Sequence, residues 1–116
     1  MCLVACGGEF REPTLLLGKN NGTTNFMRST TANKLRDMMS YNVQAHYGAW
    51  NFPGLNLCAK TGTAEVGDGT SHAWFTGFLL DEAHPYAFVV VIENGGAGIT
   101  AAAPVANAVL QAAVNG

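Results

Sequence analysis

The sequence predicts an α+β fold in which a three-stranded antiparallel meander carries flanking helices. Three observations point there. Trp74 to Leu80 and Tyr86 to Ile92 are β-favouring runs of matched length, joined by a short polar segment that suits a hairpin. Just upstream, Leu57 to Glu65 opens apolar and continues as Lys60-Thr61-Gly62-Thr63, which reads as a third strand. Helical patterns lie on either side of this β block and do not alternate with the strands, so the classes segregate along the chain.

In chain order, Met1 to Cys6 is a short apolar stretch that reads as the last turn of a helix, with Gly7-Gly8 as its stop. Phe10 to Leu17 is expected to be extended, because Pro13 disfavours the helical region for its neighbour. Lys19 to Thr24 is a turn, with Asn21-Gly22 as a hairpin-type signal. Ser29, Thr30 or Thr31 can cap a helix running from Ala32 to Tyr47. Leu35, Met38, Met39, Val43 and Tyr47 recur at three- and four-residue steps and define its core-facing stripe. Gly48 stops it, Ala49 to Gly54 is a loop around Pro53, and the strand carrying Lys60 follows. Gly67 to Ser71 is a turn, in which Asp68 is explained by local hydrogen bonding. Val89 to Ile92 is a continuous apolar run that suits a strand buried on both faces. After the Gly-rich loop 94–98, Thr100 can cap a final helix through Val114, with Pro104 near its first turn.

At 116 residues the chain is one domain at most, with no internal repeat. Charged residues make up 12% of it, about half of the usual ~25%, whereas 48% are hydrophobic. So few charges suit a piece that packs against more protein. The net charge of −2 and the lack of any basic cluster exclude a nucleic-acid binder. No apolar run reaches the ~18 residues of a membrane span. No signal peptide is legible, since Met1 to Cys6 is too short and has no basic start. The odd count of three cysteines and their spacing fit neither a disulfide framework nor a metal site. Cys2, Cys6 and Cys58 are expected to be small buried residues, and no cofactor is expected.

The chemistry concentrates on Lys60, Thr61, Gly62 and Thr63. On an edge strand they form a cationic, hydroxyl-lined rail that suits an anionic, extended ligand pairing with the backbone. Gly62 allows such a ligand a close approach. The plainer alternative is an edge strand protected by a lysine. Gly54 to Thr61 differs from a phosphate-binding loop only at Ala59, but that loop must open a helix, and here β-type sequence follows the lysine. Glu65 and Asp68 make no convincing acid pair. His46, His72 and His84 read as solvent-facing or turn histidines.

Lys60-Thr61-Gly62-Thr63-Ala64-Glu65 resembles the Lys-Thr-Gly box of penicillin-binding proteins and serine β-lactamases. The segments around it resemble the same enzymes: Ala32 to Met39, Trp74 to Phe78, Tyr86 to Glu93, Ala101 to Val114 and the opening Met1 to Leu16. The resemblance implies a partial β-lactamase/transpeptidase-like domain over 1–116, the C-terminal part of a penicillin-binding transpeptidase domain. It implies that Lys60 is catalytic, holding positive charge beside a nucleophilic serine. Thr61, Gly62 and Thr63 would bind the substrate, the hydroxyls on its carboxylate and the Thr63 N–H as half of an oxyanion hole. Implied ligands are peptidoglycan stem peptides and β-lactams.

The chain also departs from the family. The residues three before Lys19, Lys34 and Lys60 are Leu16, Thr31 and Leu57, so no Ser-x-x-Lys is present. Ser40-Tyr41-Asn42 mimics the second motif but falls inside the helix before the box, where the family does not carry it. The expectation is therefore a fragment that is soluble and inactive alone. Its parent would be extracytoplasmic and membrane-anchored, and its partner would be the missing N-terminal half of the domain. A homodimer through the uncovered strand edge at Val89 to Val91 is also expected. A β-lactam-sensing domain of a regulatory protein and a non-catalytic structural module are the alternatives.

Overall fold

The computed structural model describes residues 1–19, 21–67 and 69–116, so the reading of Asp68 lies outside the described residues. The central sheet has the order β3-β4-β5 and is antiparallel throughout. The strands are β3 (Leu57–Val66), β4 (Thr70–Leu79) and β5 (Ala87–Ile92). Their register pairs Leu57 with Leu79 and Val66 with Thr70, then Ala73 with Ile92 and Phe78 with Ala87. This is the meander expected of the chain, with β3 and β5 at its edges.

Period-2 alternation sorts the side chains onto two faces. One face presents Leu57, Ala59, Phe75, Ala73 and Leu79 and packs on Ala102, Ala103, Ala106 and Leu110 of α3 (Gly98–Asn115). The small alanines let that helix lie close to the strands. Gly98 makes the closest approach, because a Cβ there would stand 2.2 Å from the Trp74 carbonyl oxygen. On the other face Cys58 and Phe78 meet Met39 of α2 (Ser29–Asn42), with Val4 and Ala5 of α1 (Cys2–Ala5) alongside. Arg36 of α2 donates from Nε to the Val4 carbonyl at 3.0 Å and from Nη2 to the Ala5 carbonyl, so the end of α1 is capped by a guanidinium. A small hairpin, β1 (Glu9–Arg11) with β2 (Thr23–Asn25), connects α1 to α2.

Several local expectations are corrected. Extended structure ends at Arg11 and does not run to Leu17. Helix α2 starts at Ser29 itself and has no side-chain cap, since Arg28 occupies the capping position. It gives way after Asn42 to a π turn, Val43–Gly48, and a 3₁₀ turn, Ala49–Asn51. Met38 lies outside the core, 63% exposed, because Ala32, Met39 and Val43 form the buried stripe of the helix and Met38 is turned away from it. Helix α3 starts at Gly98, so Thr100 lies inside its first turn and Pro104 is interior. Cys2 and Cys6 are exposed, because the four-residue α1 covers the sheet through Val4 and Ala5 instead; Cys58 is buried. Strand β5 is not buried on both faces. Val90 is half-buried on the α3 side, whereas Val89 and Val91 are 60% and 39% exposed, because no described element covers that end of the opposite face.

Candidate functional site

The box lies on the outer edge of β3. Lys60 and Gly62 share one face with Cys58, and Thr61 and Thr63 share the other with Phe75 and Ala73. Four successive strand residues cannot face one way, so only the free edge itself brings them together. Lys60 is exposed, and its Nζ folds back to donate to the Thr61 carbonyl at 2.6 Å. Thr61 is half-buried, its N–H donates to the Tyr47 hydroxyl at 3.1 Å, and its Oγ1 lies 3.2 Å from the same hydroxyl. Gly62 lies opposite Trp74, where an added Cβ would come within 3.2 Å of the Trp74 Cβ. Thr63 is exposed next to it.

Tyr47 is the residue that the sequence reading assigned only to packing. The π turn carries it to the β3 edge, and its ring stands edge-on to Phe75 with centroids 5.9 Å apart. An aromatic residue with a polar tip at the end of an apolar stripe was the available signal.

The other candidates lie elsewhere. His72, at the start of β4, accepts the Asn94 N–H on Nδ1 at 3.0 Å. His84 and Asp81 pair at 2.8 Å in the hairpin connection, where the His84 hydrogen bond and then the Ala83 N–H hold the Asp81 carboxyl below its ordinary range. His46 is exposed against Tyr41. Ser40-Tyr41-Asn42 closes α2, within the helix before the box. Lys60 stands in mid-strand, so residues 54–61 do not form a phosphate-binding loop. The Cys58 thiol, pushed up to about 11 by burial, donates to the Arg36 carbonyl and is no nucleophile. Among the described residues no group of three or more His, Cys, Asp or Glu side chains is placed to hold a metal ion.

The penicillin-binding protein transpeptidase domain model matches residues 4–111. The chain belongs to the penicillin-binding protein transpeptidase family. It is 36% identical to the peptidoglycan D,D-transpeptidase PbpA of Mycobacterium tuberculosis over 73% of its own length and 19% of the relative's. Among solved structures, it superimposes with a TM-score of 0.76 on penicillin-binding protein A from M. tuberculosis, an imipenem acyl-enzyme complex. That match has 29% identity and covers 97% of this chain and 28% of the other. The transpeptidase domain of the FtsI4 D,D-transpeptidase from Legionella pneumophila matches at a TM-score of 0.71 and 25% identity, over 95% of this chain and 42% of that one. The chain thus spans about a fifth of the relative and less than half of that domain. No described helix is long and apolar enough to cross a membrane.

Proposed function

We propose that this chain is the C-terminal, box-bearing part of a serine D,D-transpeptidase of cell-wall synthesis, acting on peptidoglycan stem peptides and acylated by β-lactams once the N-terminal half of the domain is present. The observation that carries this reading is the free edge of β3, where the Lys60 ammonium rests on the Thr61 carbonyl and Thr63 lies exposed.

Each residue has a role in this reading. Lys60 keeps positive charge beside the serine of the missing half and eases proton transfer during its attack. Thr61 and Thr63 donate hydroxyl hydrogen bonds to the ligand carboxylate. The Thr63 N–H provides one oxyanion donor, and the serine's own N–H provides the second. Gly62 keeps the strand clear of the ligand. The parent enzyme is extracytoplasmic and membrane-anchored. In the isolated fragment the uncovered edge of β5 pairs with a second copy, because Val89 and Val91 are exposed there beside the 37%-exposed Trp74.

The test is intact-mass spectrometry after incubation with a labelled penicillin. The 116-residue chain stays unmodified, and the protein extended by its N-terminal half gains one adduct. Lys60→Ala in that longer protein slows acylation by at least ~10²-fold, the scale for losing one electrostatic or proton-transfer group. An adduct on the short chain, or normal acylation by the variant, overturns the reading.

A further inference from the structure

In an antiparallel strand the N–H and C=O of one residue point to the same side, and successive residues alternate. The Thr61 N–H meets Tyr47 and its C=O meets Lys60, so both groups point away from β4. The Gly62 and Trp74 carbonyls both lie under Gly98, between β3 and β4, as the alternation requires. The N–H and C=O of Thr63 therefore face outward again. Among the described residues, no side chain is bonded to them. The chain thus closes its own edge at Thr61 and leaves it open from Thr63 onward.

We propose that Tyr47 is a positioning residue of this site: its hydroxyl takes the edge N–H of Thr61 and gives its own proton to Thr61 Oγ1, so that the threonine proton is left to donate to an anionic ligand. This rests on the transpeptidase reading above. A phenol has one proton and two lone pairs. One lone pair accepts the Thr61 N–H at 3.1 Å, and Thr61 Oγ1 stands at 3.2 Å as acceptor for the proton. The opposite polarity would consume the Thr61 proton and leave a half-buried phenol proton without a described acceptor, which half-buried tyrosines avoid. The ring is held on Phe75, so the hydroxyl does not swing away. The Lys60 ammonium on the adjoining carbonyl then makes a second donor at the same edge. A carboxylate on an extended ligand, its backbone paired with Thr63, fits between the two. Tyr47 touches no substrate; it aims Thr61 and sets where ligand pairing begins.

The variant is Tyr47→Phe, which keeps the ring and deletes only the hydroxyl. In the full-length transpeptidase, acylation by benzylpenicillin is compared with acylation by its methyl ester, which lacks the carboxylate charge. The acid-to-ester rate ratio falls about tenfold, the scale of one hydrogen bond to a charged acceptor. A purely structural role for Tyr47 would slow both compounds alike and leave the ratio unchanged, and that result overturns the proposal. In the 116-residue chain the Thr61 amide exchanges about tenfold faster in the variant, while the Phe75 and Phe78 amides keep their rates. Unchanged Thr61 exchange also overturns it. If the wild-type enzyme is acylated by neither compound, the transpeptidase reading fails, and amide exchange still decides the Tyr47–Thr61 bond.

Discussion

Phe75→Ala removes the side chain on which both the core and the site depend. Phe75 is fully buried on β4. It stacks on Phe52 at 5.7 Å with ring planes 10° apart, meets Tyr47 edge-on at 5.9 Å and touches Phe88 at 5.7 Å. Truncating a buried phenylalanine to alanine costs about 3–5 kcal/mol from lost transfer energy and the residual cavity. Three aromatic neighbours place this site at the upper end, since each such pair adds roughly 0.5–1.5 kcal/mol beyond its buried area. The α3 helix cannot move in to close the gap, because Gly98 already stands against the Trp74 carbonyl. Against a total stability of about 5–15 kcal/mol, the loss is a third or more, or roughly 15 °C in Tm. Urea unfolding followed by circular dichroism at one fixed protein concentration measures it. Trp50→Ala serves as the control, since Trp50 is 81% exposed and its truncation should stay within about 0.5 kcal/mol. A loss below about 1 kcal/mol for Phe75→Ala, with an unchanged urea slope, would refute the assignment of Phe75 as the centre of the core.

Four further outcomes are expected. Val89→Lys with Val91→Lys abolishes self-association by placing charges on the open β5 edge, as sedimentation at micromolar concentration shows; a wild-type chain that sediments as a 12.2 kDa monomer removes the dimer itself. Iodoacetamide modifies Cys2 and Cys6 rapidly and Cys58 only after unfolding, read by intact mass; equal rates would contradict the burial of Cys58. The folded thiol of Cys58 is raised from 9.0 to about 11, so its contribution is complete below pH 9 and is lost as pH rises from there through 11, which unfolding curves across that range report. The carboxyl of Asp81 shifts the opposite way, so its contribution is present above pH 3.8 and is lost as pH falls through the lowered folded value; an NMR titration midpoint for Asp81 at or above 3.8 would contradict its bond to His84.

Local pattern determined the elements and their order. The β-favouring runs and the polar hairpin segment were enough to place three antiparallel strands, although β4 already begins at Thr70, within the stretch that was expected to turn. The box landed on an edge strand because it opens the first strand of a meander. These features depend on nearest neighbours along the chain, and period-2 and period-3.6 patterns report them directly. Boundaries were less legible, as the starts of α2 and α3 show, because backbone geometry and not a capping side chain begins both helices. Exposure of Met38, Cys2, Cys6, Val89 and Val91 was decided by what lies across from them, which no local period encodes.

The sequence by itself determined the class of fold, the strand that carries Lys60 to Thr63 and the absence of a Ser-x-x-Lys. Only the tertiary structure decided how those residues are presented. Strand alternation places Lys60 and Thr61 on opposite faces, and they meet at the edge because Lys60 folds back to the Thr61 carbonyl. The π turn after Asn42 rephases the helix and delivers the Tyr47 hydroxyl to Thr61, across fourteen residues of sequence. The physical reason is that a hydrogen bond needs its two groups within about 3 Å, and closing that distance depends on the packing of a helix end against a sheet, which the sequence encodes only through the whole fold.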